Sequence, residues 1–351
     1  MRIPKRRTVI LFLVGVLIAL PLAGCLYESA ASARDARRFP PPGTLVDVGG
    51  RRLHLICIGR GEPTVIFEPS GFSNSASFEA ARSEVAGHTR VCSYDRMGAG
   101  WSDRGPTDVS AGMLADDLRR LQDNAALDPP FIIVTASIGG LTTELFARRY
   151  PDRVAGLIFA DAVNSEMIPI ANATFDRWQA VAACAAIAGA ARVGLVRLLD
   201  PFALRASSSD AAARSAALMY GAKPWITLCS EVSNMRTSEQ EFARAPALRA
   251  DVPLIVLTAE TTAGVIPSRL DVEPIAALSR LRKLLPLLRE THQHLAQRST
   301  RGSWRMVPGS DHLIATSRPQ AVVDAVLELL TQIRRAAQSR RLGGPWEYAT
   351  N

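Results

Sequence analysis

Ser137 stands where a β-branched run meets a helical one, in Phe131–Gly140 (FIIVTASIGG) followed by LTTELFARRY. A serine hydroxyl becomes a nucleophile when the backbone lifts it clear and a neighbouring base takes its proton. Strand, tight turn and helix, in that order, build a nucleophile elbow that holds the serine in a strained conformation. Small residues must flank such a turn. Gly139 and Gly140 supply them on the far side, while Thr135 stands where glycine is usual, so the motif reads T-x-S-x-G. Of the five histidines, His54 falls inside a hairpin strand and His88 at the end of an early helix. His292 and His294 fall on a helix before the last strand. His312, in PGSDHLI directly after that strand, has the position from which an imidazole can serve an elbow serine. The chemistry to expect from such a pair is acyl transfer.

The surrounding elements must bring residues 175 positions apart to one edge. Leu45–Val48, Gly49-Gly50 and Arg52–Ile58 predict a β-hairpin with a glycine turn. Thr64–Glu68 and Arg90–Tyr94 predict two further strands with a helix over Ser75–Ala86 between them. Asp108–Asn124 has helical periodicity with Ser110 as N-cap. Strands follow at Phe131–Thr135 and Val154–Ala160, separated by a helix over 138–150. From about Asn164 to Arg249 the chain is Ala-rich and helical. Strands resume at Val252–Thr258 and Ser303–Val307, and a helix through Gln320–Arg334 closes the body. Alternating short apolar strands and amphipathic helices predict a largely parallel sheet covered on both faces, whose carboxyl edge carries the site.

Composition narrows the function classes. The formal charge of +8 is matched by two end clusters, Arg2, Lys5, Arg6 and Arg7 with Arg334, Arg335, Arg340 and Arg341, so the central body is near neutral. Neither cluster has interleaved aromatics for base stacking, and nucleic acid is not expected as a partner. The chain has no C-x-x-C pair, no G-x-G-x-x-G fingerprint and no Walker A loop, so neither metal nor organic cofactor is expected. Residues 1–25 have the three parts of an export signal: basic RIPKRR, an apolar run from Val9 to Leu20, and Leu22-Ala23-Gly24-Cys25. LAGC resembles a bacterial lipobox, in which Cys25 is acylated and becomes the new N-terminus. The alternative is an uncleaved anchor, since Thr8–Leu26 is long enough to span a bilayer. Either way the body is expected outside the cytoplasm. Residues 26–43 are expected to be a linker, and 338–351 a loose tail.

The chain resembles the α/β-hydrolase fold family, in its serine esterase and peptidase-like branch, over roughly residues 44–331. The stretches that carry the resemblance are RVCSYDRMGAGWSD (Arg90–Asp103), TASIGG, YPDRVAGLIFADA (Tyr150–Ala162) and VPGSDH (Val307–His312), followed by PQAVVDAV. The resemblance implies an eight-stranded, mostly parallel sheet, with 44–163 and 250–337 as core and 164–249 as a helical cap between strands six and seven. It gives Asp95 and Arg96 an architectural role. It also implies an oxyanion hole made by the backbone N–H of Ile138 with a second from Gly71 or Phe72, or the hydroxyl of Ser70. The family usually places the acid of the triad after strand seven, where Ala259-Glu260-Thr261-Thr262 has no aspartate. Some relatives carry it after strand six. That position is Asp161 here, which is expected to be the acid, with Glu260 as the alternative; Asp311 should point away from the ring. In this fold the second and fourth strands are neighbours, so Cys57 is expected to pair with Cys92, and Cys184 with Cys229 within the cap. The implied activity is hydrolysis of a hydrophobic carboxylic ester, or an amide. Aminopeptidase, cofactor-free perhydrolase and inactive binding module stand as alternatives.

Overall fold

The computed structural model describes residues 6–174, 177–200, 210–261 and 276–342. A helix of 33 residues, Arg6–Arg38 (α1), leads into an eight-stranded sheet. Strands Thr44–Asp47 (β1) and Arg52–Ile58 (β2) form the expected antiparallel hairpin. Its turn is closed by Asp47 Oδ1, which accepts from Gly49 N at 2.6 Å and Gly50 N at 3.2 Å. Val65–Glu68 (β3) is followed by a short 3-10 turn and Glu79–Val85 (α2), then Val91–Tyr94 (β4) and Ala111–Asn124 (α3). Ser110 caps α3, its hydroxyl accepting from Met113 N at 3.3 Å. Phe131–Ala136 (β5), Gly139–Arg149 (α4) and Val154–Ala160 (β6) complete the first half.

The sheet order is β1-β2-β4-β3-β5-β6, continuing to Leu254–Ala259 (β7) and Gly302–Val307 (β8). β2 pairs antiparallel with β4, and every later pairing is parallel. Alternate strand residues feed two cores. Ile133, Phe159 and Val256 pack under α3 and α4 on one face. Ile132, Ile158 and Ile255 pack on the other against α2 and Pro319–Leu342 (α13). Strands that are apolar on both faces need helices on both, and this is the reason the sheet edge is left free for the site.

Between β6 and β7 the described residues form helices Met167–Thr174 (α5), Arg177–Arg192 (α6), Leu195–Leu199 (α7), Asp210–Tyr220 (α8), Ala222–Ser233 (α9) and Met235–Arg244 (α10). Ala276–Gln297 (α11) precedes β8, and Ile314–Ser317 (α12) follows it. Cys57 and Cys92 are register partners across β2 and β4 and are joined by a disulfide; a second joins Cys184 of α6 to Cys229 of α9.

Two expectations need correction. Residues 26–38 are not a linker but the second half of α1, an Ala- and Arg-rich helix-forming run with Glu28 and Asp35 bound to Arg197 of α7. The start of the expected tail, 338–342, is the last turn of α13; residues 343–351 lie outside the described residues, as does Thr262.

Candidate active site

Ser137 sits in the turn between β5 and α4 with φ 52, a left-handed value that costs a non-glycine residue free energy. The turn is held from both sides: the Ser137 carbonyl accepts from Gly140 N at 3.0 Å and from Val163 N at 2.8 Å. A Cβ on Gly139 would lie 2.6 Å from the Pro69 carbonyl oxygen and 3.0 Å from Thr135 Oγ1, so the turn tolerates Thr135 because Gly139 makes room for it. Ile138 opens α4, where the first N–H groups lack intrahelical partners and the helix dipole favours negative charge.

The loop after β3 reaches the same place. A Cβ on Gly71 would lie 2.8 Å from Ile138 Cγ2, which puts this loop against the residue that follows Ser137. Phe72 is stacked on Trp225 of α9, with ring centroids 5.1 Å apart. Ser70 is buried, and its Oγ has no hydrogen-bond partner among the described residues.

His312 lies in the β8–α12 loop, nearly buried, with Nδ1 2.6 Å from Asp161 Oδ2. The carboxylate can only accept, so Nδ1 carries the proton and Nε2 is left as the basic nitrogen. Asp161 is itself on a tight turn, φ 48, at the end of β6. Its Oδ1 accepts from Ala259 N at 3.0 Å, at the end of β7. Glu260 is placed elsewhere: its Oε2 accepts from Gly309 N at 2.6 Å. Asp311 Oδ1 accepts from Leu313 N at 2.9 Å.

His292 of α11, which its helical position gave no reason to single out, stands behind this couple. Its Nδ1 is 4.0 Å from Asp161 Oδ1 and 2.7 Å from Thr258 Oγ1, and its Nε2 is 2.8 Å from the Ala162 carbonyl. Burial lowers its pKa, aided by His312 and opposed by Asp161 and the Ala162 carbonyl. A neutral ring donates from Nε2 to that carbonyl and accepts at Nδ1 from Thr258, whose oxygen also accepts from Trp304 Nε1 at 2.8 Å.

A second buried network lies under the site. Arg96 is fully buried, with Nη2 2.6 Å from Glu231 Oε2 of α9 and Nε 3.1 Å from Glu68 Oε1, the latter without hydrogen-bond alignment. Tyr94 donates its hydroxyl to Glu68. Burial pushes the Glu68 carboxyl up to about 7 against the pull of Arg96 and Tyr94. Asp95 accepts from Ser75 N at 2.6 Å and Trp101 N at 2.9 Å and lies 3.0 Å from His54 Nδ1, a bracing role in the loop. A small open pocket is lined by Ile138, Leu141, Thr142 and Glu231, among others.

The sequence profile of the alpha/beta hydrolase fold matches residues 63–193, which carry Ser137, Asp161 and Gly71. The chain has the α/β-hydrolase fold. An esterase from Thermogutta terrifontis superposes with a TM-score of 0.58 at 19% identity, covering 83% of this chain and 98% of that one. A 2-hydroxy-6-oxo-2,4-heptadienoate hydrolase of Pseudomonas putida is 31% identical over 125 residues, 34% of this chain and 45% of that protein. An uncharacterized Schizosaccharomyces pombe protein is 30% identical over 166 residues, 39% of this chain and 30% of that protein. The chain thus spans less than half the length of these curated relatives. Within the α/β-hydrolase fold, Ser137, Asp161 and His312 stand at the carboxyl ends of β5, β6 and β8.

Proposed function

We propose that this protein is an exported, membrane-anchored serine hydrolase that cleaves a carboxylic ester through an acyl-enzyme. The observation that carries the reading is the 2.6 Å contact between His312 Nδ1 and Asp161 Oδ2, which fixes the tautomer a general base needs. Ser137 attacks the acyl carbon, and His312 Nε2 takes its proton and passes it to the leaving alcohol. The N–H of Ile138 and one from Gly71 or Phe72 hold the oxyanion. Water, activated by the same imidazole, then releases the acid and restores Ser137. Asp161 orients His312 and stabilises the imidazolium formed at each step. Disulfides at Cys57–Cys92 and Cys184–Cys229 support an oxidising compartment. An exposed Cys25 at the end of the apolar half of α1 supports acylation there. A fluorophosphonate probe should label the wild type and not Ser137→Ala; absence of labelling in a folded wild type would favour a binding module.

One observation favours a second reading, an aminopeptidase. Glu231 Oε1 is buried at the cavity beside Ile138 and has no hydrogen-bond partner among the described residues. A substrate ammonium would satisfy it. Comparing aminoacyl p-nitroanilides with p-nitrophenyl acyl esters separates the two activities.

A further inference from the structure

Helix α1 has two halves with different surroundings. From Val9 to Leu22 its side chains are exposed, and this half belongs to a stretch of mean hydropathy 2.8 with nothing packed against it. Among the described residues it is the one helix long and apolar enough to cross a membrane. From Gly24 onward one face is covered: Gly24, Glu28, Ala31, Ser32 and Asp35 recur at helical spacing and lie against the inserted helices. A Cβ on Gly24 would lie 2.6 Å from the Val193 carbonyl oxygen. Arg197 of α7, itself buried, reaches Glu28 at 2.8 Å and Asp35 at 2.5 Å. The segment 193–197 therefore runs beside α1 from the level at which the apolar stretch ends.

Helix α7 turns Val196 and Arg197 inward and leaves Leu195, Leu198 and Leu199 exposed, the last two at 60% and 59%. Three leucines outward on five residues are costly in water. Helix α7 begins within about two helical turns of the end of the apolar stretch, with Gly194 against Tyr27 and Arg197 reaching Glu28; a bilayer surface falls near this level if α1 spans it, or if an acyl chain on Cys25 is inserted. Arg192, at the end of α6 just before this segment, is exposed and can pair with a lipid phosphate.

We propose that α7 is a bilayer-docking surface: Leu195, Leu198 and Leu199 insert among the lipids at the membrane surface from which α1 emerges. This rests on the anchored reading above but holds for either kind of anchor. It makes the inserted helices a membrane-bound face rather than a cover free in solution, held in place through Arg197.

The test uses the full chain in the membranes of its expression host. p-Benzoylphenylalanine replaces Leu198, Leu199, Leu26 or Leu45 one at a time, and lipid adducts are read by mass spectrometry after irradiation. Leu26 lies on exposed α1 and Leu45 on edge strand β1, so they give the two reference levels. Adducts at 198 and 199 comparable to position 26 and at least about tenfold above position 45 are the expected result. Retention in the membrane with adducts at 26 but background levels at 198 and 199 overturns docking and leaves the anchor standing. Adducts at 198 to protein rather than lipid also overturn it. Release of the protein by carbonate wash overturns the anchor and docking together, while leaving the Ser137 chemistry untouched.

Discussion

In the mechanism proposed here, Asp161→Asn separates the orienting role of this residue from its structural one. Oδ1 accepts from Ala259 N and Oδ2 from His312 Nδ1, so the two ends of the carboxylate face two donors. Asparagine has one accepting end. Either its NH2 meets the Ala259 N–H, or it meets His312 Nδ1; the backbone donor cannot adapt, whereas the imidazole can move its proton to Nε2. The second arrangement keeps the β6–β7 tie and spoils the base, because the nitrogen meant to accept from Ser137 now carries hydrogen. The expected loss in kcat is about ten-thousandfold, or roughly 5 kcal/mol of transition-state stabilisation, with unfolding free energy changed by no more than about 1 kcal/mol. Initial rates on a p-nitrophenyl ester, with urea unfolding on the same samples, measure both. Glu260→Gln keeps an acceptor for Gly309 N and should stay within about threefold of wild type. An Asp161→Asn protein within tenfold of wild type, or a Glu260→Gln protein that collapses, would refute the reasoning.

Other expectations follow from the buried groups. Glu68 has a folded pKa of about 7, above its value in the unfolded chain, so the native state holds the proton longer and stability falls as pH rises from about 4.5 to 7. That loss is at most about 3 kcal/mol, and Glu68→Gln should flatten it in urea titrations at pH 5 and pH 8. Cys57 and Cys92 are 35 residues apart, and losing the bond in Cys57→Ser should cost about 4 kcal/mol of chain-entropy stabilisation, read from the urea midpoint under non-reducing conditions. Arg197→Met leaves Glu28 and Asp35 without this cation; it should destabilise the α1–α7 contact by about 3 kcal/mol or more and expose that segment to limited proteolysis.

The sheet was largely legible because its information is local. Strand runs such as Phe131–Ala136 and Val154–Ala160 are apolar and β-branched, and Ser110 caps its helix through a contact three residues away. The positions of Ser137 and His312 followed from the ends of such runs. What could not be read is what depends on packing between distant segments. Arg96 and Glu231 are 135 residues apart, and nothing in either neighbourhood announces their pairing. His292 is polar on a helix whose burial is decided by Thr258 and Ala162 opposite it. Residues 26–38 read as a linker because their polar, small side chains form no apolar stripe; Arg197 supplies the ionic partner that stands in for one.

Asp161 and the N–H of Ala259 clamp the carboxyl ends of β6 and β7 together; α5–α10 leave from the first of these ends and return to the opposite, amino end of β7. Both partners of the clamp lie outside the inserted segment. Exchange of everything from 164 to 249 for a helical segment of different length leaves that clamp, and with it the orientation of His312, inside the retained part. The core can then be treated as a socket: grafts joined beyond Val163 and before Ala250 change what reaches Ser137 without redrawing the line from Asp161 to His312.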